Sequence, residues 1–115
     1  MMNEEIKSIF GDEITVGGAS VPVAHLRYRG KSMTFVTWTM LGEKPTLSGD
    51  DEPLYSVASV DVDIYSDGNY LNVITEIKRL MKINGWLWVE NSPEMYEEDT
   101  GLYHITATFE KVRTL

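Results

Sequence analysis

The sequence predicts an α+β fold, with one mixed or mainly antiparallel sheet of four to five strands, one long helix packed on one face and a short N-terminal helix. The main observation is a change of apolar period within residues 56–85. Residues 56–65 alternate between polar and apolar, as in a strand, whereas the apolar residues of 71–85 recur at helical spacing. Folding the helix back onto the strand buries both apolar faces together.

Length and composition limit the class of protein. The 115 residues suffice for one domain, residues 1–115, with its own core. The absence of cysteine excludes disulfides and thiolate metal sites. No apolar run approaches the ~20 residues of a membrane span, so we expect neither a membrane anchor nor a signal peptide. A formal net charge of −8 disfavours binding to nucleic-acid phosphates, and Arg27, Arg29 and Lys31 form the only tight basic group.

The predicted element order is α-β-β-β-α-β-β. Residues 2–10 have the apolar spacing and acidic start of a short helix. Strands at 21–29 and 33–41 are predicted to form a hairpin, because Gly30-Lys31-Ser32 between them is a turn sequence. Residues 42–54, rich in glycine, proline and aspartate, predict a long polar loop.

The second half adds the strand and helix described above, a short strand at 86–90, an acidic loop at 91–101 and a last strand at 102–112. One helix covers only one face of a sheet. We expect the other face to carry Thr37, Thr39, Asp61, Asp63, Trp86, Trp88, Thr106 and Thr108. Two tryptophans on an uncovered face favour contact with another protein chain, although they could instead lie under the long loops.

Few residues form a pattern with a known chemistry. Asp61-Val-Asp63 has the form of a metal-binding Asp-x-Asp pair, but strand alternation explains both aspartates as a solvated face. His104-Ile-Thr106 is one half of a paired His-x-Thr signature, and the other histidine, His25, is followed by Leu26 and Arg27 instead. We therefore expect no catalytic residue, no metal site and no cofactor.

The C-terminal half carries a distinctive run, Tyr96-Glu-Glu-Asp-Thr-Gly-Leu-Tyr-His104, together with segment 60–70 and Arg79-Leu-Met-Lys82. Over residues 20–112 these resemble the tail terminator or tail completion proteins of long-tailed phages and prophages. The resemblance implies a structural virion protein rather than an enzyme, made in the bacterial host cytoplasm and placed at the junction of tail and neck. It also implies a hexameric ring whose partners are the tail tube protein and the head-tail connector or stopper protein.

Such a ring gives the charged residues a possible role. Six copies at −8 each carry −48, so a negatively lined channel would let DNA pass without binding it. The residues predicted to form interfaces are Trp86, Trp88, Glu97, Glu98, Asp99, Asp61 and Asp63. Asp99 could instead cap its turn by accepting a hydrogen bond from the Gly101 amide. The alternative functions are a head-side neck protein and a small ligand-binding α+β domain.

Overall fold

Seven strands and two helices make up the described part of the chain, which is residues 2–47 and 53–114 of a computed structural model. In chain order they are α1 (Met2–Phe10), β1 (Glu13–Val16), β2 (Ala19–His25), β3 (Thr34–Leu47), β4 (Pro53–Ser66), α2 (Leu71–Ile83), β5 (Leu87–Asn91), β6 (Met95–Glu97) and β7 (Leu102–Thr114). Strands hold 55% of the described residues and helices 20%. The protein is therefore mainly β.

The predicted α+β class, with one long helix on a sheet of four to five strands, is wrong. The described strands form one seven-stranded sheet in the order β1-β2-β3-β4-β7-β5, and β6 also pairs with β7. The helices are short, with nine residues in α1 and thirteen in α2. The predicted element order omits β1 and β6, which have four and three residues. Strands this short carry too little of the two-residue period to be recognised.

The longest strands, β3 and β4, form an antiparallel hairpin of 14 residues on each side. The loop predicted at 42–54 is wrong for 42–47 and 53–54, and its remaining residues, 48–52, lie outside the described chain. Gly42 lies at a β-bulge with φ 125°, a conformation that glycine adopts easily. Pro45 lies beyond the stretch where β2 pairs with β3, so its missing amide hydrogen removes no bond to β2.

β2 and β3 are parallel neighbours, so the hairpin predicted for residues 21–29 and 33–41 is wrong. Val23–His25 pair with Val36–Trp38, and the Leu26 amide then donates to the Trp38 carbonyl at 2.9 Å. Because β2 ends opposite Trp38, the connecting loop must run back alongside β3 before that strand can begin at Thr34. The turn signal in the sequence thus belongs to a loop beside the sheet rather than to a hairpin.

Both helices pack on the same face of the sheet. The predicted strand-to-helix unit is confirmed, because the inward residues of β4 and α2 share one buried cluster. That cluster contains Val60, Val62, Ile64, Val73, Ile74, Ile77 and Met81, and α1 adds Ile6 and Phe10. Burial of such side chains contributes about 1.5–3 kcal/mol each. Neither helix in the described chain is long and apolar enough to cross a membrane.

The molecule is elongated, with extents of 52 × 26 × 22 Å. Its radius of gyration is 15.5 Å, whereas a compact chain of this length has about 13 Å. Much of the extra length comes from the long strands β3, β4 and β7. Their side chains opposite the helices have no helix above them in the described chain, so we call this the uncovered face.

Candidate interaction surface

Polar side chains of β4 and β7 bond to one another across the uncovered face. Asp63 Oδ1 accepts a hydrogen bond from Thr106 Oγ1 at 2.5 Å and lies 2.9 Å from His104 Nε2. In the next row, Asp61 Oδ1 accepts one from Thr108 Oγ1 at 2.6 Å. The register pairs Asp61 with Thr108 and Asp63 with Thr106. The prediction that these four residues share a face is therefore confirmed.

This arrangement lacks the geometry of a nucleophile and its base. A catalytic threonine would donate its hydroxyl to a histidine, whereas Thr106 and His104 both contact the same oxygen of Asp63. The other histidine, His25, stacks on Trp38 with ring centroids 4.1 Å apart. Among residues 2–47 and 53–114, no group of three or more His, Asp or Glu side chains could hold a metal ion. The polar network thus connects neighbouring side chains on the uncovered face.

Four rings form a continuous stack across the same face, which we call the ring row. Tyr28 stacks on Phe35 with centroids 4.4 Å apart, and Phe35 stacks on Tyr65 at 4.7 Å. Tyr65 in turn stacks on His104 at 4.1 Å. These residues come from the loop after β2 and from β3, β4 and β7, so the row runs across the sheet from that loop to β7.

Trp86 and Trp88 lie on the helix side, and their predicted placement on the uncovered face is wrong. Trp86 is 1% exposed, and its Nε1 donates to Glu5 Oε2 at 3.2 Å. Trp88 is 49% exposed and pairs with Phe109, whose side chain lies in the core. Lys78 of α2 places its Nζ 3.9 Å from the Trp88 ring centroid. Because a buried ring offers no surface to a partner, Trp88 is the only one of the two tryptophans that remains a candidate interface residue.

The sheet edge formed by β5 and β6, which we call the outer edge, exposes several large apolar side chains. They are Leu87 at 65%, Trp88 at 49%, Val89 at 46%, Met95 at 45% and Tyr96 at 54%. Both strands pair with β7, and no strand of the described chain pairs with their other side. A strand with free backbone groups and apolar side chains favours the addition of another chain.

Acidic residues overlap one end of this edge, in residues 94–99, which we call the acidic segment. Glu98 and Asp99 are exposed in the turn between β6 and β7, and Glu97 is partly buried beside them. The Gly101 amide donates to the Glu97 carbonyl at 2.8 Å. A backbone bond therefore closes the turn, and the alternative role of Asp99 as its cap is not observed.

A cluster of cations lies across the sheet from the outer edge, in the loop between β2 and β3. This loop comprises residues 26–33, and we call it the basic loop. Arg27, Arg29 and Lys31 are exposed. None of the three forms an ion pair with another residue of the described chain. Their charges are thus available to a partner.

The basic loop has a defined shape despite its exposure. The Ser32 amide donates to Tyr28 Oη at 2.9 Å, which closes the loop on itself. The same ring covers Gly30, where an added Cβ would lie 2.1 Å from Tyr28 Oη. A larger residue at position 30 would have to displace the Tyr28 ring, so glycine allows the ring to pack over the loop backbone.

An open groove of about 690 Å³ lies beside the β3 bulge. Its lining residues are Leu41, Gly42, Glu43, Lys44, Pro45, Thr46, Val57, Ser59 and Glu110. Ligand sites usually combine an enclosing apolar wall with a few convergent polar groups. This groove is open to solvent and lined by polar and apolar residues of three strands, without a cluster of convergent polar groups, which gives little support to the small ligand-binding alternative.

The chain matches no protein-family model, and no curated protein sequence is significantly similar to it. The resemblance to tail terminators therefore stays a prediction.

Sequence reasoning missed the outer edge and the shape of the basic loop. Trp86–Val89 is an unbroken apolar run, which predicts a strand without giving its place in the sheet. Met95 and Tyr96 fall in a stretch predicted to be an acidic loop. The available signal for the basic loop was the tight group of Arg27, Arg29 and Lys31 in a strongly acidic chain.

Proposed function

We propose that the protein is a structural assembly protein of a phage or prophage tail. It forms a ring that stops growth of the tail tube and joins the tube to the head connector, without enzymatic activity. The observation that carries the proposal is the outer edge, where five large apolar side chains and an unpaired side of the sheet are exposed. An edge of this kind favours pairing with another chain.

The two lateral edges of the sheet carry different surfaces, which favours a ring over a two-fold dimer. The outer edge is apolar and acidic, whereas the opposite side carries β1 and the basic loop. A contact between two different surfaces repeats head to tail until the ring closes. A hexamer is the closure that the resemblance to tail terminators implies.

The chemistry of the uncovered face also supports an assembly role. Its carboxylates, Asp61 and Asp63, bond to neighbouring threonines rather than converging on a pocket. The charge of −8 per copy suits a channel through which DNA passes without sticking. The proposed partners are further copies of the chain, the tail tube protein and the connector or stopper protein.

The test is deletion of the gene from the phage or prophage that encodes the protein, followed by electron microscopy of the lysate. We expect filled heads without tails, together with free tail tubes of uncontrolled length, and rescue by a plasmid copy of the gene. Free tails of normal length would instead favour the head-side neck protein. Complete particles with normal tails would contradict both roles.

A further inference from the structure

We propose that, in this ring, the basic loop of each copy binds the acidic segment of the next copy. The inference rests on the proposed function, because it assigns the contact through which the ring closes. The partner is a second copy of this chain, and the contact is heterologous. Four observations on the described residues support it: position, charge, apolar exposure and rigidity.

The basic loop and the acidic segment lie level with the same end of β4, one on each side of that strand within the sheet. The first residue of β3, Thr34, pairs with Ser66 of β4, and Ser66 pairs with Tyr103 of β7. Tyr103 pairs in turn with Tyr96, inside the acidic segment. The basic loop directly precedes Thr34, and three inter-strand steps separate β3 from β6, or about 14 Å. Copies placed side by side at one height therefore bring the loop of one to the segment of the next.

The charges of the two surfaces are opposite: the basic loop has three cations and the acidic segment has four carboxylates, of which Glu94 already accepts a hydrogen bond from Tyr70. The basic loop presents Arg27, Arg29 and Lys31, and the acidic segment presents Glu97, Glu98 and Asp99. None of these six forms an ion pair with a described residue of its own chain. A like-with-like contact would oppose equal charges, whereas a head-to-tail contact pairs them. Charge complementarity thus favours the acidic segment as the partner surface of the basic loop.

Exposed apolar side chains accompany the charges on both surfaces. The basic loop is flanked by Leu26 at 61% and Met33 at 47%, and the acidic segment holds Met95 at 45% and Tyr96 at 54%. Leu26 has a positive φ of 67°, which is uncommon for a residue other than glycine. Backbone strain of this kind is found where a surface is held for a function. Each surface therefore combines exposed apolar side chains with charges of one sign.

The ring row holds the two surfaces at a fixed separation. It begins at Tyr28 inside the basic loop and ends at His104, which pairs with Met95 of the acidic segment. Burial, followed by the carboxylates of Asp63 and Glu97, raises the pKa of the Tyr65 phenol in the middle of the row. The strand pairings and the ring row thus set the distance between the two surfaces within one copy.

Charge reversal tests the pairing with the full-length protein. One variant carries Arg27→Glu and Arg29→Glu, and the other carries Glu98→Lys and Asp99→Lys. A matched control, Lys7→Glu with Lys82→Glu, makes the same charge change as the first variant, from −8 to −12, at exposed sites on the helices. Oligomer mass is measured by light scattering behind a sizing column, and thermal unfolding checks that each variant is folded.

We expect each reversed variant alone to associate about tenfold more weakly than wild type or worse, because like charges then meet at every contact. An equimolar mixture of the two should recover the wild-type oligomer, since the reversed loop of one matches the reversed segment of the other. The control should assemble like wild type.

Two results would overturn the pairing. The first is a wild-type oligomer formed by either reversed variant alone, and the second is a mixture that stays dissociated although both variants are folded. Either would assign these surfaces to another partner, such as the tail tube, and leave the proposed ring standing. Absence of a ring from the wild-type protein would instead contradict the proposed function.

Discussion

Glu5 Oε1 in α1 accepts a hydrogen bond from Arg113 Nη2 in β7 at 2.5 Å, which joins residues 108 positions apart. Its other oxygen accepts bonds from Lys111 Nζ at 2.9 Å and Trp86 Nε1 at 3.2 Å. The Glu5 side chain is 26% exposed, so these contacts are partly shielded from water. Together they hold the N-terminal helix over the end of the sheet and bury Trp86 beneath it.

This network makes stability depend on pH. Burial raises the pKa of Glu5, but hydrogen bonds and charges from Arg113 and Lys111 outweigh it and hold the pKa below the ordinary 4.5. A carboxylate with a lowered folded-state pKa stabilises the protein above its unfolded-state pKa. That stabilisation is lost as the pH falls through the folded-state value.

The substitution Glu5→Gln tests this network. We expect it to lower the free energy of unfolding by about 1–2 kcal/mol at neutral pH, with a difference from wild type that shrinks as the pH falls below about 4.5. Urea unfolding across a pH series measures both, and Asp12→Asn, at an exposed site outside the proposed contact, is the control. A difference that is constant with pH would show that the charge of Glu5 is not what matters.

Gly30 is predicted to control the shape of the basic loop. In Gly30→Ala the new methyl group would lie 2.1 Å from Tyr28 Oη, so the Tyr28 ring must leave its stack on Phe35. We expect a folded protein whose self-association is weakened, measured by sedimentation velocity. Gly68→Ala is the matched control, because a Cβ there meets no atom within 4 Å. Equal association of the two variants would show that the loop shape is unimportant.

The outer edge is predicted to supply the apolar part of the contact between copies. Leu87→Arg removes a side chain that is 65% exposed in the single copy. If burial in the ring contributes about 1.5–3 kcal/mol, association should weaken by roughly tenfold or more. Leu71→Arg, at a residue that is 62% exposed at the start of α2, is the control. Light scattering that found the same mass for both variants would rule out this edge.

Tryptophan fluorescence is expected to report the assembly. The chain has three tryptophans, of which Trp38 and Trp86 are 3% and 1% exposed and Trp88 is 49% exposed. Acrylamide should therefore quench mainly Trp88 in the single copy and lose access to it in the ring. The variant Trp88→Phe should lack the quenchable component under both conditions. Unchanged quenching on assembly would place Trp88 outside the interface.

Periodic segments with a complete apolar face were predictable from the sequence. The boundaries of α1 and α2 follow from helical spacing, and the inward face of β4 follows from alternation at Val60, Val62 and Ile64. Each of these signals is local to one element. Long-range pairing determines the rest, so local patterns could not provide it.

The errors have specific physical causes. Gly42 and Pro45 normally end a strand, but a bulge accommodates the glycine and the proline lies beyond the part of β3 that pairs with β2. Gly30-Lys31-Ser32 normally signals a hairpin, yet the φ of Leu26 turns the chain back beside a parallel strand. The burial of Trp86 depends on Glu5, 81 positions away, which no local pattern reveals.

The candidate surface was predictable only in part. Glu97, Glu98 and Asp99 were predicted as interface residues, and the structure exposes Glu98 and Asp99 at the turn. Whether they contact another copy stays a prediction. The basic loop was visible as a charge cluster, but its position opposite the acidic segment depends on the strand order, which the sequence pattern does not encode.

The most direct test of the central claim is the mass of the wild-type protein in solution across a concentration series, with negative-stain images of any large species. We expect a ring with a central hole, and a mass close to six copies of the 13.1 kDa chain. A monomer at every concentration, or a two-fold dimer without a hole, would contradict assembly into a ring.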